Sequence, residues 1–226
     1  MKRSEINSIL ADADTFFRKH GVSLPPFAHL SPDALRASDY SHIAQRRLGW
    51  DITDYGLSDF ERLGLVLFTL RNGTMKELQA GQGMVYAEKL LISRVSQISP
   101  MHRHAQKTED IINRAGGTLM MQVFASTPEG ARDLQAPVRL LCDGAVRQVP
   151  AGSTLKLLPG ESVTLRPGDW HAFWAEGEDC LVGEVSTVND DQTDNIFDPP
   201  LPRFAKIEDN EQPLRLLVSD YPHFLA

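Results

Sequence analysis

The chain has 226 residues, 42% of them apolar and 23% charged, with a net charge of −7 and two cysteines. That is enough apolar material for one large core, and the acidic balance argues against a nucleic acid or an anionic membrane as partner. No run approaches the roughly 18 apolar residues that span a bilayer, no signal-peptide core follows the first residues, and Cys142 and Cys180 lie far apart. The expectation is a soluble cytoplasmic protein with two unpaired thiols.

In chain order, Ser4 is placed to cap a helix in which Ile6, Ile9, Leu10, Ala13, Phe16 and Phe17 recur at helical spacing, and Gly21 suits its C-terminus. Ser31-Pro32-Asp33 starts a second helix, and SHIAQRRLG (41–49) forms a third. From about residue 63 the period changes to that of strands. RLGLVLFTLRNG ends in Asn72-Gly73, a hairpin-turn signal. The runs YAEKLLISRV, EDIINRA, GTLMMQVFAS, PVRLLCDG, RQVPAGSTLKLLPGESVTL, WHAFWAE and CLVGEVSTV follow, broken by glycine, proline or aspartate. This rhythm predicts a mainly β protein, an antiparallel sandwich or barrel. The expected organisation is a helical arm over 1–60, the β-barrel over 61–200, and an extension over 201–226 packed back on it, all one structural domain.

In MHRHAQKTEDIINRAGG (101–117), strand alternation sends His102 and His104 to one face, about 7 Å apart along the chain. Glu109 opens the next strand after a turn and can return opposite them, and His171 opens a distant one. Taken alone, an H-x-H pair more often marks a surface strand than ligands. Joined by Glu109 and His171, it forms a four-ligand set suited to Mn²⁺, Fe²⁺, Co²⁺, Ni²⁺ or Zn²⁺. Lys107 shares the parity of Glu109 and faces the same way if the strand begins there. Glu184, a charge between apolar neighbours in a predicted core strand, has either a function or a cationic partner.

The spacings His102-x-His104-x4-Glu109-x6-Gly116 and Gly160-x7-Gly168-x2-His171 resemble the two cupin motifs. Ser96, Arg166 and Ala175 stand where the pattern has glycine, proline and asparagine, and the long Gly116–Gly160 spacer predicts an extra hairpin. LGWDITDYG (48–56), FTLRNG (68–73), YAEK (86–89), TEDIINRAGG (108–117) and LVGEVSTVNDDQTDN (181–195), with the MKRSEIN start, closely resemble the D-lyxose isomerases over residues 1 to about 225.

That resemblance implies a cupin-type antiparallel β-barrel or jelly roll. It also implies a homodimer, a divalent ion that is typically Mn²⁺, and interconversion of D-lyxose with D-xylulose and of D-mannose with D-fructose. Such a reaction needs a Lewis acid and either a proton shuttle through a cis-enediol or a hydride shift. Lys107 and Glu184 are candidate catalytic groups, and the resemblance adds Glu208 as a C-terminal carboxylate closing the site. Asp190, Asp191 and Asp194 either bind sugar hydroxyls or cap turns. Trp50, Trp170, Phe173 and Trp174 are candidates for the sugar's apolar face. An Fe²⁺-dependent cupin dioxygenase and a non-enzymic sugar-binding cupin are the competing readings.

Overall fold

The computed structural model describes residues 1–39 and 41–225. Helix α1 (Arg3–Lys19) buries Ile6, Ile9, Leu10, Ala13 and Phe17 and ends at Gly21 in the left-handed conformation. Its cap is not Ser4, which lies within the first turn. The first amides are met from the far end of the chain: Arg3 donates its N–H to the Glu208 carbonyl, and Ser4 donates to the Asn210 side chain. A long-range segment replaces the local cap. A 3₁₀ turn (Pro26–His29) precedes α2 (Pro32–Arg36), where Ser31 Oγ accepts from the Ala34 amide as a serine cap should. Helix α3 covers Ser41–Arg46.

Residues 49–53 correct the expectation of a helical arm reaching residue 60. Strand β1 (Gly49–Thr53) pairs antiparallel with β2 (Leu65–Asn72). Both are buried on two faces because α1 covers the outside of the sheet, which erases the alternation that announces a strand. The Asn72-Gly73 turn is a second correction. Helix α4 (Met75–Ala80) intervenes before β3 (Tyr86–Ser93), and its capping box closes between Thr74 and Glu77. Strands β2 and β3 pair antiparallel across this helical connection.

The remaining strands are β4 (Ser99–His104), β5 (Glu109–Ser126), β6 (Arg132–Asp133), β7 (Val138–Cys142), β8 (Ala145–Val149), β9 (Thr154–Leu157), β10 (Ser162–Leu165), β11 (Trp170–Thr187) and β12 (Asn195–Phe197). Four runs read as separate strands are thus the halves of two 18-residue strands, β5 and β11. Each half serves a different layer. One layer runs β1-β2-β3-β11-β5-β10-β7-β8, while β12, β4, the first half of β11, the second half of β5 and β9 form the other. The β7–β8 hairpin occupies the long spacer between the motifs. A core of Leu119, Met121, Val123, Leu140, Val163, Phe173 and Val182 fills the space between layers. Outside the first layer, Trp50, Ile52, Val66, Phe68 and Ile92 pack under α1. In the C-terminal segment Val218 donates to the Trp50 carbonyl, and Leu216, Val218, Tyr221 and Leu225 cluster with Leu35. Here α5 (Tyr221–Phe224) ends the described chain.

At the kinks, backbone geometry dictates residue type. A Cβ on Gly116 (φ 94°) would fall 2.0 Å from the Asp179 carbonyl oxygen, so only glycine fits. Ser96, in place of the motif glycine, holds φ at 61°, and its amide donates to the Ala175 carbonyl. A non-glycine residue in this region costs about 1–2 kcal/mol, partly offset by glycine's larger folding entropy. Ser96→Gly is therefore expected to stabilise the fold by about 0.5–1 kcal/mol, a rise of roughly 1–4 °C in Tm measured by thermal melting. A lowered Tm would contradict this account of the turn.

Candidate metal centre and cavity

Register brings the three histidines together. His102 on β4 lies directly opposite His171 on β11, and His104 follows two residues along on the same face. Their rings sit 4.1–5.7 Å apart between centroids, and their candidate ligand atoms lie within 4.8 Å of one another. All three are buried. Burial, followed by the neighbouring imidazoles His171 and His104, pushes the His102 pKa well below the usual imidazole range. Burial and the nearby Lys107 ammonium lower that of His104. Buried, neutral imidazoles are what a metal requires of histidine.

The outward nitrogens fix two of the rings. His102 Nδ1–H donates to the Pro100 carbonyl at 2.8 Å and His171 Nδ1–H to the Asp169 carbonyl at 3.1 Å. Nε2 of each ring is thereby the inward-facing nitrogen, an acceptor when the ring is neutral. Glu109 Oε1 lies 3.3 Å from His171 Nε2 and 3.2 Å from His104 Nε2, and His171 Nε2 is buried without a hydrogen-bond partner. With a neutral ring, both atoms are acceptors, an arrangement that asks for a cation between them. The donor set of three imidazoles and a carboxylate fits a divalent transition ion.

The turn between β4 and β5 is held by Asp194. Its carboxylate accepts from the amides of Gln106 (2.7 Å) and Lys107 (3.1 Å) and lies 3.6 Å from His104 Nδ1. The turn aims Lys107 inward, where Nζ donates to Glu184 Oε1 at 2.9 Å and pairs with Glu109 Oε2 at 2.7 Å. Burial alone would lower the Lys107 pKa, but Glu109 and Glu184 outweigh it and hold the ammonium above its ordinary value. Burial would likewise raise that of Glu109, yet Lys107 and His104 keep it well below the carboxylate range. Glu184 sits opposite Lys89 on β3, whose Nζ lies 3.5 Å away.

These groups line a cavity of about 430 Å³, open mouth included. Leu65, Leu67, Leu91, Ile111, Phe173 and Phe197 make its apolar wall. Of the four aromatic candidates, only Phe173 reaches it; Trp50 lies under α1 and Trp170 packs with Met101 and Ala172 outside the inner core. Among the aspartates, Asp191 lines the cavity, while Asp190 caps its own turn through Gln192 and Thr193.

Glu208 is not brought to this cavity. It is exposed, and its backbone bonds to Met1 and Arg3 at the start of α1, which turns the carboxylate toward solvent. Sequence reasoning missed three cavity or cavity-side groups: Lys89, Arg203 and Asp51. Lys89 had a related signal, a charge on the strand face it shares with Ala87 and Leu91. Asp51 lay in a stretch read as helical, and Arg203 in a proline-rich segment without periodicity.

The sequence model of the D-lyxose isomerase family matches residues 1–221. The D-lyxose/D-mannose isomerase of Serratia proteamaculans is 46% identical over 232 residues, covering all of both chains. That of Escherichia coli O157:H7 is 44% identical over 99% of this chain and 100% of its own. Among solved structures, an L-ribose isomerase of Cellulomonas parahominis with L-ribose superposes at a TM-score of 0.61. It shares 18% identity over 92% of this chain and 98% of its own, a likeness of fold alone. The fold is thus cupin-type, and by its full-length match the chain belongs to the D-lyxose isomerase family.

Proposed function

We propose that the protein is a divalent-metal-dependent aldose–ketose isomerase that interconverts D-lyxose with D-xylulose and D-mannose with D-fructose. The observation that carries this reading is Glu109 Oε1 facing the acceptor nitrogen of His171 and standing within 3.3 Å of His104 Nε2, beside a buried Lys107–Glu184 pair. His102, His104, His171 and Glu109 hold the ion, and Mn²⁺ is the assignment for this donor set in this family. When bound, the ion polarises the carbonyl and the neighbouring hydroxyl of an aldose.

The chain's own groups supply the rest. Glu184 is the cavity carboxylate that touches neither histidine nor Arg203, so it is assigned the proton that moves between C2 and C1 through a cis-enediol. Lys107, held protonated, cannot serve as the base; its Nζ–H stabilises negative charge on the substrate oxygen and orients Glu184. The apolar wall limits water around the reacting carbons. We further assign the enzyme to the cytoplasm as a homodimer, in keeping with its composition and family; among the described residues no helix is long and apolar enough to cross a membrane.

The test is turnover after reconstitution with Mn²⁺, Fe²⁺, Co²⁺, Ni²⁺ or Zn²⁺ on a panel of aldoses. Ketose should form from lyxose and mannose, without oxygen uptake, and most rapidly with Mn²⁺. Lyxose tritiated at C2 should release label to solvent; complete retention in product would replace the proton shuttle with a hydride shift. Oxygen consumption that depends on Fe²⁺, with no ketose, would overturn the isomerase reading.

A further inference from the structure

Asn72 makes no hairpin turn with Gly73, and its buried side chain has another task. Oδ1 accepts the Asn189 amide and Nδ2 donates to the Asn189 carbonyl, both at 2.9 Å. One side-chain amide thus clamps the backbone of the connection between β11 and β12 at two points. The clamp sets where the Asn189 side chain points. Asn189 Nδ2 donates to Asp191 Oδ2 at 2.8 Å, while Oδ1 accepts from Lys89 Nζ at 2.7 Å and from Lys107 Nζ at 3.4 Å. The opposite orientation of the amide would set oxygen against a carboxylate and NH₂ against two ammonium groups, so the partners fix it.

Two cations and two oxygens therefore form a closed square. Lys107 Nζ lies 2.9 Å from Glu184 Oε1 and 3.4 Å from Asn189 Oδ1; Lys89 Nζ lies 3.5 Å and 2.7 Å from the same two atoms. The lysines are divided between the oxygens, Lys107 to the carboxylate and Lys89 to the amide. Lys89 faces Glu184 directly across the β3–β11 pair, and a charge-assisted bond of about 2.8 Å is stronger than a contact at 3.5 Å. What draws Lys89 aside is the neutral Asn189 oxygen, with Asp191 Oδ1 at 3.4 Å as its other acceptor. This division bears on the chemistry, because a carboxylate that accepts from two ammonium groups takes up a proton less readily than one that accepts from a single group. A carboxylate in place of the Asn189 amide would face Asp191 across 2.8 Å; the amide holds Lys89 without adding charge.

We infer that Asn189 is a positioning residue of the isomerase: clamped by Asn72, its Oδ1 draws Lys89 away from Glu184, so that the base accepts from Lys107 alone and stays ready to take the proton from C2. Asn189 is not part of the cavity wall, whereas Lys89, Lys107 and Glu184 are. It acts on substrate only through them. The inference rests on the isomerase reading and on Glu184 as its base, and it adds the group that keeps the second lysine off that base.

The test is a double-mutant cycle between Asn189→Ala and Lys89→Met, with all four proteins metal-loaded and assayed on D-lyxose. Asn189→Ala should lower kcat about tenfold with KM within about threefold of wild type, the pattern of a loss confined to the chemical step. Its metal content should be unchanged. Lys89→Met is slower in its own right, since Lys89 lines the cavity. In that background Asn189→Ala should cost less than about threefold, because no second ammonium remains to fall onto Glu184. A merely structural role for Asn189 costs the same in both backgrounds. Asn189→Ser, whose hydroxyl reaches one bond less far than the amide oxygen, replaces the alanine variant in the cycle if that variant does not fold. Equal losses in the two backgrounds, or wild-type kcat in Asn189→Ala, would overturn the assignment. Wild type without turnover on lyxose would overturn the isomerase reading itself, a different result from the same assay.

Discussion

Changing His104 or His171 to alanine is expected to abolish both metal retention and turnover while the barrel still folds. The two rings supply inward-facing nitrogens to the same space, each within 3.3 Å of Glu109 Oε1. Removing one leaves three of the four donors, and the weakened set is expected to lose its ion on dilution. If the ion contributes several kcal/mol to the transition state, its loss lowers kcat/KM by about a thousandfold or more at 1.36 kcal/mol per decade. Stability should move far less in the metal-free protein, where no ion ties the rings to Glu109. The measurements are metal content by mass spectrometry, initial rates on lyxose, and thermal melts of both forms. Full turnover by metal-free His104→Ala protein would sink the metal mechanism. The same geometry sets a pH dependence. The pKa values of His102 and His104 are lowered, so the neutral, ligating forms persist below the ordinary imidazole midpoint near about 6.5. Metal content of the wild type should therefore be flat as pH falls through that midpoint, and drop only at lower pH.

The inner cavity was legible where it depended on strand parity. His102 and His104 share a face because alternation demands it, whereas Lys107, in the turn before the strand, faces inward because Asp194 holds that turn. A charge set among apolar strand residues pointed to Glu184, and its partner proved to be Lys107, with Lys89 across the strand pair. What local pattern could not carry is whatever depends on contact between distant segments. Strand β1 hides because α1 buries its second face. The cap of α1 lies on residues 208–210, some 205 positions away, so Ser4 looked like the cap and Glu208 looked free to close the cavity. One backbone pairing explains both corrections. Asn72-Gly73 is a strong turn signal, yet Thr74 and Glu77 start a helix there, because a reciprocal capping box satisfies more amides than a two-residue turn would. Arg203 sits in a segment without periodicity, and only its fit against Asp51 shows which way it points.

That same long-range pairing yields the second large expected effect, on stability. Arg3 on α1 has 1% of its side chain exposed; Nη1 and Nη2 donate to the two oxygens of Asp220 at 2.9 Å each, and Nε donates to Asp209 at 2.7 Å. Asp220 also accepts the Leu217 amide, which sets the turn leading into α5. The bidentate pair thus joins the first turn of the first helix to the segment that covers β1 beside Trp50. Arg3→Met strips Asp220 of its counter-charge in a buried setting, and breaking such a pair on one side costs about 3–5 kcal/mol. For a chain of this length that is roughly 6–20 °C in Tm. Asp209→Ala is the contrast: its carboxylate is 57% exposed, and loss of a solvent-screened partner should cost less than about 1 kcal/mol. The double variant Arg3→Met, Asp220→Asn removes both charges and should recover part of the loss, since much of it is the unpaired carboxylate rather than the missing attraction. Thermal and urea melts of the three variants decide the matter. Equal, small losses for Arg3→Met and Asp209→Ala would mean that the buried fork does not hold the chain ends together, and that the apolar contacts of α1 with Trp50 and Phe68 carry that role alone.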